Sequence, residues 1–240
     1  MGTSDDCIKP FAKLVDAIHA EGTKVFVQLF HPGRELLGRP NGVVQPAFAP
    51  SHSPSERFKV VPRELSTALI GEILDGYGQA ARRMAEAGAD GVEIVASHGY
   101  LPAQFMNPRV NRRQDQYGGG LDNRLRFTRE AISAIRAHVP DEFVIGMRMS
   151  GDEHDEDGMV EDESVAIARA LAPELDYLNV IAGTSATASG AAHIVPSMAN
   201  EHGYVAPFAQ KVKQATGKAV FVAGRINQPQ IAEQVLASGS

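Results

Sequence analysis

A parallel β-sheet covered by helices, either open or belonging to a (β/α)8 barrel, is the fold this sequence predicts, and two observations carry it. Five short apolar runs rich in β-branched residues, Lys24–Phe30, Gly91–Ala96, Phe143–Met149, Leu175–Ile181 and Ala219–Ala223, alternate with longer stretches of helical periodicity. The links that enter these runs are brief, such as Gly22-Thr23 and Gly88-Ala89-Asp90, whereas segments 31–65 and 98–122 that leave them are long. Long connections at the C-terminal ends of parallel strands are where barrels build their sites.

Each element follows from local pattern. Ile8 to His19 reads as a helix that stops at Gly22, ahead of the first strand. Segment 31–65 carries Pro32, Pro40, Pro46, Pro50, Pro54 and Pro62, so it is expected to be an ordered, extended cover without a helix of its own. Ile70, Ile73, Leu74, Tyr77, Ala81 and Met84 then share one helical face, and Gly88 ends that helix. Pro140 and Gly217 stop the helices before the third and fifth strands, and Pro229 to Ala237 begins another helix. Nearly continuous apolar strands need cover on both faces. Five strands are too few to close a barrel of eight. The expectation is therefore α/β, a (β/α)8 barrel incomplete in this chain, with residues 1–240 as one partial domain and two unpaired sheet edges.

Composition narrows the partners. With 240 residues, 43% hydrophobic, and a net charge of −6, the chain can bury a core but offers no basic surface for nucleic acid. A single cysteine, Cys7, excludes a disulfide framework, a Cys-based zinc site and an iron–sulfur cluster held by this chain alone, and a reducing, cytoplasmic setting is expected. No apolar run approaches the roughly 18 residues of a membrane span. The acidic start, Met1 to Asp6, is unlike a signal peptide, and Asp6 breaks the myristoylation pattern.

Polar residues at strand ends are the candidates for chemistry. Gln28 interrupts Val25–Phe30, and a buried amide there is either bonded to neighbouring backbone or paired with the edge of a heterocycle. Arg148, within Val144–Met149, must meet an anion or a polar acceptor, which is either an acid in the following loop, Asp152 to Asp157, or a ligand. Arg225 follows Gly224 after the last strand, a position where barrels hold phosphate. His98 and Tyr100 open the second long segment with a hydrogen-bond donor and a proton source. The run Asp152 to Asp157 reads as a solvated loop rather than a metal site, because it lacks ordered ligand spacing.

These residues fall into a recognisable pattern. Gly91-Val92-Glu93-Ile94, His98-Gly99-Tyr100-Leu101, Gln104-Phe105, Asn107-Pro108-Arg109, Asn111-Arg112-Arg113, Asp115, Tyr117-Gly118-Gly119 and Asn123-Arg124 resemble the signature of the Old Yellow Enzyme family. Gln28-Leu29 with His31 and Gly33-Arg34, and Gly224-Arg225-Ile226 with Pro229, resemble its strand-three and strand-seven motifs, the latter as in the 2,4-dienoyl-CoA reductase and trimethylamine dehydrogenase branch.

The resemblance implies an FMN-binding barrel domain in which these strands are numbers three to seven, with some flavin contacts supplied by missing strands. It implies Gln28 at the flavin pyrimidine edge, Arg148 by N1 and the C2 carbonyl, Gly224 and Arg225 at the phosphate, Tyr100 as proton donor and His98 as substrate-binding donor. NAD(P)H is then the expected electron donor, and a small molecule the partner, with a homo-oligomer left open. Many ene-reductases have a histidine three residues before His98, where this chain has Val95; the dienoyl-CoA reductase and amine-dehydrogenase branches lack it too. Reduction of an activated C=C and oxidation of an N-methyl amine are thus both expected reactions. Two alternatives stand beside this: a fragment that binds no cofactor, and a flavin-free barrel enzyme such as an aldolase, for which Lys24 and Lys218 lie before their strands, at the wrong end. His193, in the stretch Ala191 to Met198, belongs to the loop expected after the fourth run and either faces substrate or, the commoner case, is a surface histidine.

Overall fold

The structure, a computed structural model, describes residues 2–36 and 45–239; Pro40 lies outside the described residues. The elements run α1 (Ile8–His19), β1 (Phe26–Leu29), β2 (Phe48–Ala49), β3 (Arg63–Glu64), α2 (Thr67–Glu86), β4 (Gly91–Ala96), α3 (Leu101–Met106), α4 (Leu121–Arg136), β5 (Val144–Ser150), α5 (Glu161–Leu171), β6 (Tyr177–Ile181), α6 (Ala188–Ile194), α7 (Ala206–Thr216), β7 (Ala219–Val222) and α8 (Pro229–Ala237). The five apolar runs pair in sequence order, β1-β4-β5-β6-β7, all parallel. This is an incomplete (β/α)8 barrel, with β1 and β7 at its two edges.

Parallel register puts paired residues on the same side of a sheet, and that fixes the two faces. Val92, Ile94, Ile145, Met147, Leu178 and Val180 face the helices and are fully buried. The other face would line a barrel. Its rows run Gln28, Glu93, Gly146, Tyr177, Ala219 and, two residues further along, Val95, Arg148, Asn179, Phe221. On the edge strands this lining is open, leaving Phe26 37% and Phe221 52% exposed.

Helix cover follows the sequence pattern. The Ser66 hydroxyl caps α2 by accepting from Leu69 N at 3.2 Å, and Gly88, at φ 86°, turns the chain out of it. The face of α2 that carries Ile70, Tyr77, Ala81 and Met84 is buried. Gly78 lets α4 come close, since a Cβ there would lie 2.9 Å from Ala134 O. Tyr77 meets Phe127 edge-on, and Phe127 stacks on Phe105 at 4.4 Å.

Two short helices, α3 and α6, occupy stretches expected to be loop. The first long segment holds instead the β2–β3 parallel ladder, and among its described residues there is no helix. The acidic run departs from a solvated loop at Glu153, which is buried and accepts from Met159 N at 2.8 Å. That burial pushes its carboxyl up to about 7. The backbone return, Glu153 N to Met159 O at 2.9 Å, shows why: this acid closes its own turn.

Gly146 makes room in the lining for the Tyr177 ring, into which any Cβ would run. Gly146→Ala is therefore expected to cost about 1–3 kcal/mol, the usual penalty of overpacking, as measured by chemical denaturation. An unchanged unfolding midpoint would show that the ring has space to move.

Candidate active site at the C-terminal ends of the strands

The turn after β4 is held in an uncommon backbone shape. His98 and Gly99 both have positive φ, 60° and 74°, a conformation that bulky side chains seldom adopt. Ser185 fixes it by donating from N at 3.0 Å and Oγ at 2.6 Å to His98 O. Gln104 Nε2 donates to Gly99 O at 2.6 Å and to Pro32 O at 3.1 Å, tying the turn to the first long segment. Tyr100 then begins α3, its ring 5.5 Å from that of His98 and 5.3 Å from that of Phe30.

His98 is held neutral. Burial, and then the positive charge of Arg148, bring its pKa down to about 4. Its Nδ1 lies 2.7 Å from Ser97 Oγ. When that hydroxyl donates to Nδ1, the ring proton sits on Nε2 and remains available to a ligand.

Arg148 makes no ion pair among the described residues, and its Nε is buried without a hydrogen-bond partner. The salt bridge to the Asp152–Asp157 run does not form: Glu153 turns to Met159, and Asp152 Oδ1 accepts from His154 N. A buried guanidinium N–H left open costs free energy unless something else accepts it.

Gln28 differs from expectation in two ways. It is exposed, because β1 is an edge strand, and its Nε2 donates to the Glu93 carboxylate at 2.7 Å rather than to backbone. Glu93, itself 4% exposed, also accepts from Tyr177 Oη at 3.0 Å and Asn179 Nδ2 at 3.0 Å. Burial and that carboxylate push the Tyr177 phenol up. Glu93 and Asn179 interrupt apolar strands just as Gln28 and Arg148 do, so the same signal was there to single them out.

Arg225 sits after β7 at φ 50°, its Nη1 donating to Ser197 O at 3.0 Å and to Asn200 O. Gly224 packs under Val205, which a Cβ would strike, so its missing side chain has a packing reason. The turn with His98 and Tyr100, and Arg148 beside it, form one group; Arg225 lies two strands beyond β5 at the same end of the sheet. Lys24 pairs with Asp90 at 2.7 Å on the opposite end, away from this group. His193 lies on α6 rather than in a loop, its ring stacked 4.1 Å from that of His154.

Much of the long motif is scaffold. Arg113 Nη1 donates to Pro50 O at 3.1 Å and Leu65 O at 2.7 Å, and Asn111 Nδ2 donates to Phe105 O and Tyr117 O, both at 2.7 Å. These side chains satisfy loop carbonyls and so shape both long segments around the site. Among the described residues no cluster of three or more His, Cys, Asp or Glu is placed to hold a metal, and no helix is long and apolar enough to cross a membrane.

Known proteins share both the sequence and this architecture. N,N-dimethylglycine/sarcosine dehydrogenase of Chromohalobacter salexigens is 34% identical over 240 residues, which are 99% of this chain and 34% of that protein. The structure of 2-naphthoyl-CoA reductase with 2-naphthoyl-CoA matches at TM-score 0.84 and 29% identity, over 98% of this chain and 37% of that one. Morphinone reductase in complex with tetrahydroNAD matches at TM-score 0.72 and 30% identity, over 96% and 63%. The chain thus spans about a third of the first two relatives. A family profile covers residues 3–240, scaffold and strand ends together, and the chain belongs to the NADH:flavin oxidoreductase / NADH oxidase family.

Proposed function

We propose that the protein carrying this chain is an FMN-dependent oxidoreductase of small organic molecules, with residues 1–240 as part of its FMN-binding barrel. Its reaction is reduction of an activated C=C with NAD(P)H as electron donor, or oxidation of an N-methyl amine. The observation that carries this is the buried Arg148 Nε with no protein acceptor, beside the His98–Tyr100 turn.

The residues present fit a flavin. Arg148 offers a fixed positive donor, and Gln28, with its nitrogen taken by Glu93, offers a carbonyl acceptor. Together they match an imide-like ring edge, where an N–H stands next to an oxygen that gains negative charge. FMN, when bound, supplies hydride transfer at N5. Arg148 stabilises the added charge, Gln28 orients the ring edge, and Gly224 with Arg225 holds the phosphate. His98, neutral above about pH 4, binds substrate as a hydrogen-bond donor, and Tyr100 delivers a proton to carbon. The lone Cys7 gives no support for an iron–sulfur cluster in this chain and fits a cytoplasmic protein.

The test is a visible absorption spectrum of the purified protein, followed by anaerobic titration with NADH, NADPH, an enone and an N-methyl amine. Flavin bands that bleach with a nicotinamide or an amine are expected. A protein that takes up no FMN would overturn the proposal.

A further inference from the structure

The lining holds a buried carboxylate to which the proposed reaction gives no task. Glu93 accepts three hydrogen bonds from two other strands of the lining: Gln28 Nε2 on β1 at 2.7 Å, and Tyr177 Oη and Asn179 Nδ2 on β6, each at 3.0 Å. An ionised carboxylate only accepts, so each amide must turn its nitrogen toward it. The opposite ends of those amides are then fixed. Asn179 Oδ1 is buried with no partner, and the Gln28 carbonyl has no protein donor among the described residues. Arg148 is the register partner of Asn179, and its Nε is also unpartnered. Two amide acceptors and one guanidinium donor are thereby left open on the same face.

We propose that Glu93 is a positioning residue: it takes the N–H ends of Gln28 and Asn179 and so turns both carbonyls outward as acceptors, next to Arg148, for the N–H-bearing edge of the flavin ring. This rests on the flavin reading above. A neutral amide at position 93 breaks the arrangement in a defined way. Its carbonyl keeps the Tyr177 and Asn179 donors, its NH2 then faces Gln28, and Gln28 must flip to accept. The group that Gln28 shows the ligand becomes a donor facing a ring N–H. In the double variant Q28E/E93Q, the carboxylate at 28 accepts from the amide at 93 and still presents an oxygen outward.

The experiment measures FMN dissociation constants by fluorescence, flavin absorption bands, and the isotope-labelled side-chain amide signals of Gln28 in the protein without added FMN. E93Q is expected to weaken FMN by about tenfold, near the value of one hydrogen bond plus an unfavourable contact, and to shift the bound flavin's absorption. It should also lose the Gln28 amide signals' hydrogen-bonded shift and slow exchange, with far-ultraviolet circular dichroism unchanged. Q28E/E93Q should regain most of the affinity, which a merely structural role for Glu93 does not require. If E93Q keeps the wild-type affinity, absorption bands and Gln28 signals, Glu93 orients nothing and the inference is wrong. Failure of the wild-type protein to bind FMN overturns the flavin reading and the ligand assigned to this edge, while the Gln28 signals decide the orienting role separately.

Discussion

Arg148→Ala should weaken FMN binding about 10- to 100-fold, the range for losing a hydrogen bond to a charged group, and slow reduction of whatever flavin remains. The size follows from burial. The guanidinium Nε is out of reach of water and has no protein acceptor, so the hydrogen-bonding capacity of that N–H is reserved for a ligand. Its positive charge also favours the reduced form, so the midpoint potential should fall. Arg148→Lys keeps the charge without the planar fork and should lie between the two. Arg148→Ala would also raise the His98 pKa, because the Arg148 charge is one of the two influences that lower it. Wild-type affinity and potential in Arg148→Ala would show that this side chain faces no flavin.

Tyr100→Phe should separate the two half-reactions. Reduction by NAD(P)H, followed by anaerobic stopped-flow absorbance, is expected to stay within about twofold of wild type, because no proton from Tyr100 enters it. Reoxidation by an activated alkene should slow about 10²- to 10⁴-fold, the usual contribution of a positioned acid. The hydroxyl is unengaged by protein among the described residues, while the ring is fixed between His98 and Phe30. The substitution therefore removes chemistry without disturbing packing. Alkene turnover left intact in Tyr100→Phe would mean that the proton comes from elsewhere. Amine oxidation needs no such acid, so a variant slowed on alkenes alone also tells the two candidate reactions apart.

The frame of the fold could be read from pattern because buried parallel strands are nearly continuous apolar runs, and the five expected are the five found. Helices α3 and α6 escaped because six or seven residues give too few turns for a periodicity to show. Gln28 and Arg148 stood out as polar breaks in apolar strands, yet Glu93 and Asn179 break their strands equally and drew no role. What was missing was register: only pairing shows that β1 and β6 aim three donors at the one carboxylate on β4. Glu153 illustrates the opposite error, since charge runs are normally solvated and this one is folded inward by two bonds to Met159, one through the Glu153 carboxylate and one through its backbone N–H. In Arg225, neither the two loop carbonyls that occupy its Nη1 nor the Val205 packing of Gly224 could be read from local sequence.

The left-handed geometry of residue 98 limits how this site can be retuned. A protein engineer wishing to change the group offered to substrate has few side chains to choose from, since most would carry a conformational penalty whatever their chemistry. Asparagine, which tolerates that geometry and retains a donor, is the least disruptive exchange; a β-branched or bulky aliphatic replacement would remodel the turn, and Tyr100 with it, before any new specificity could be read.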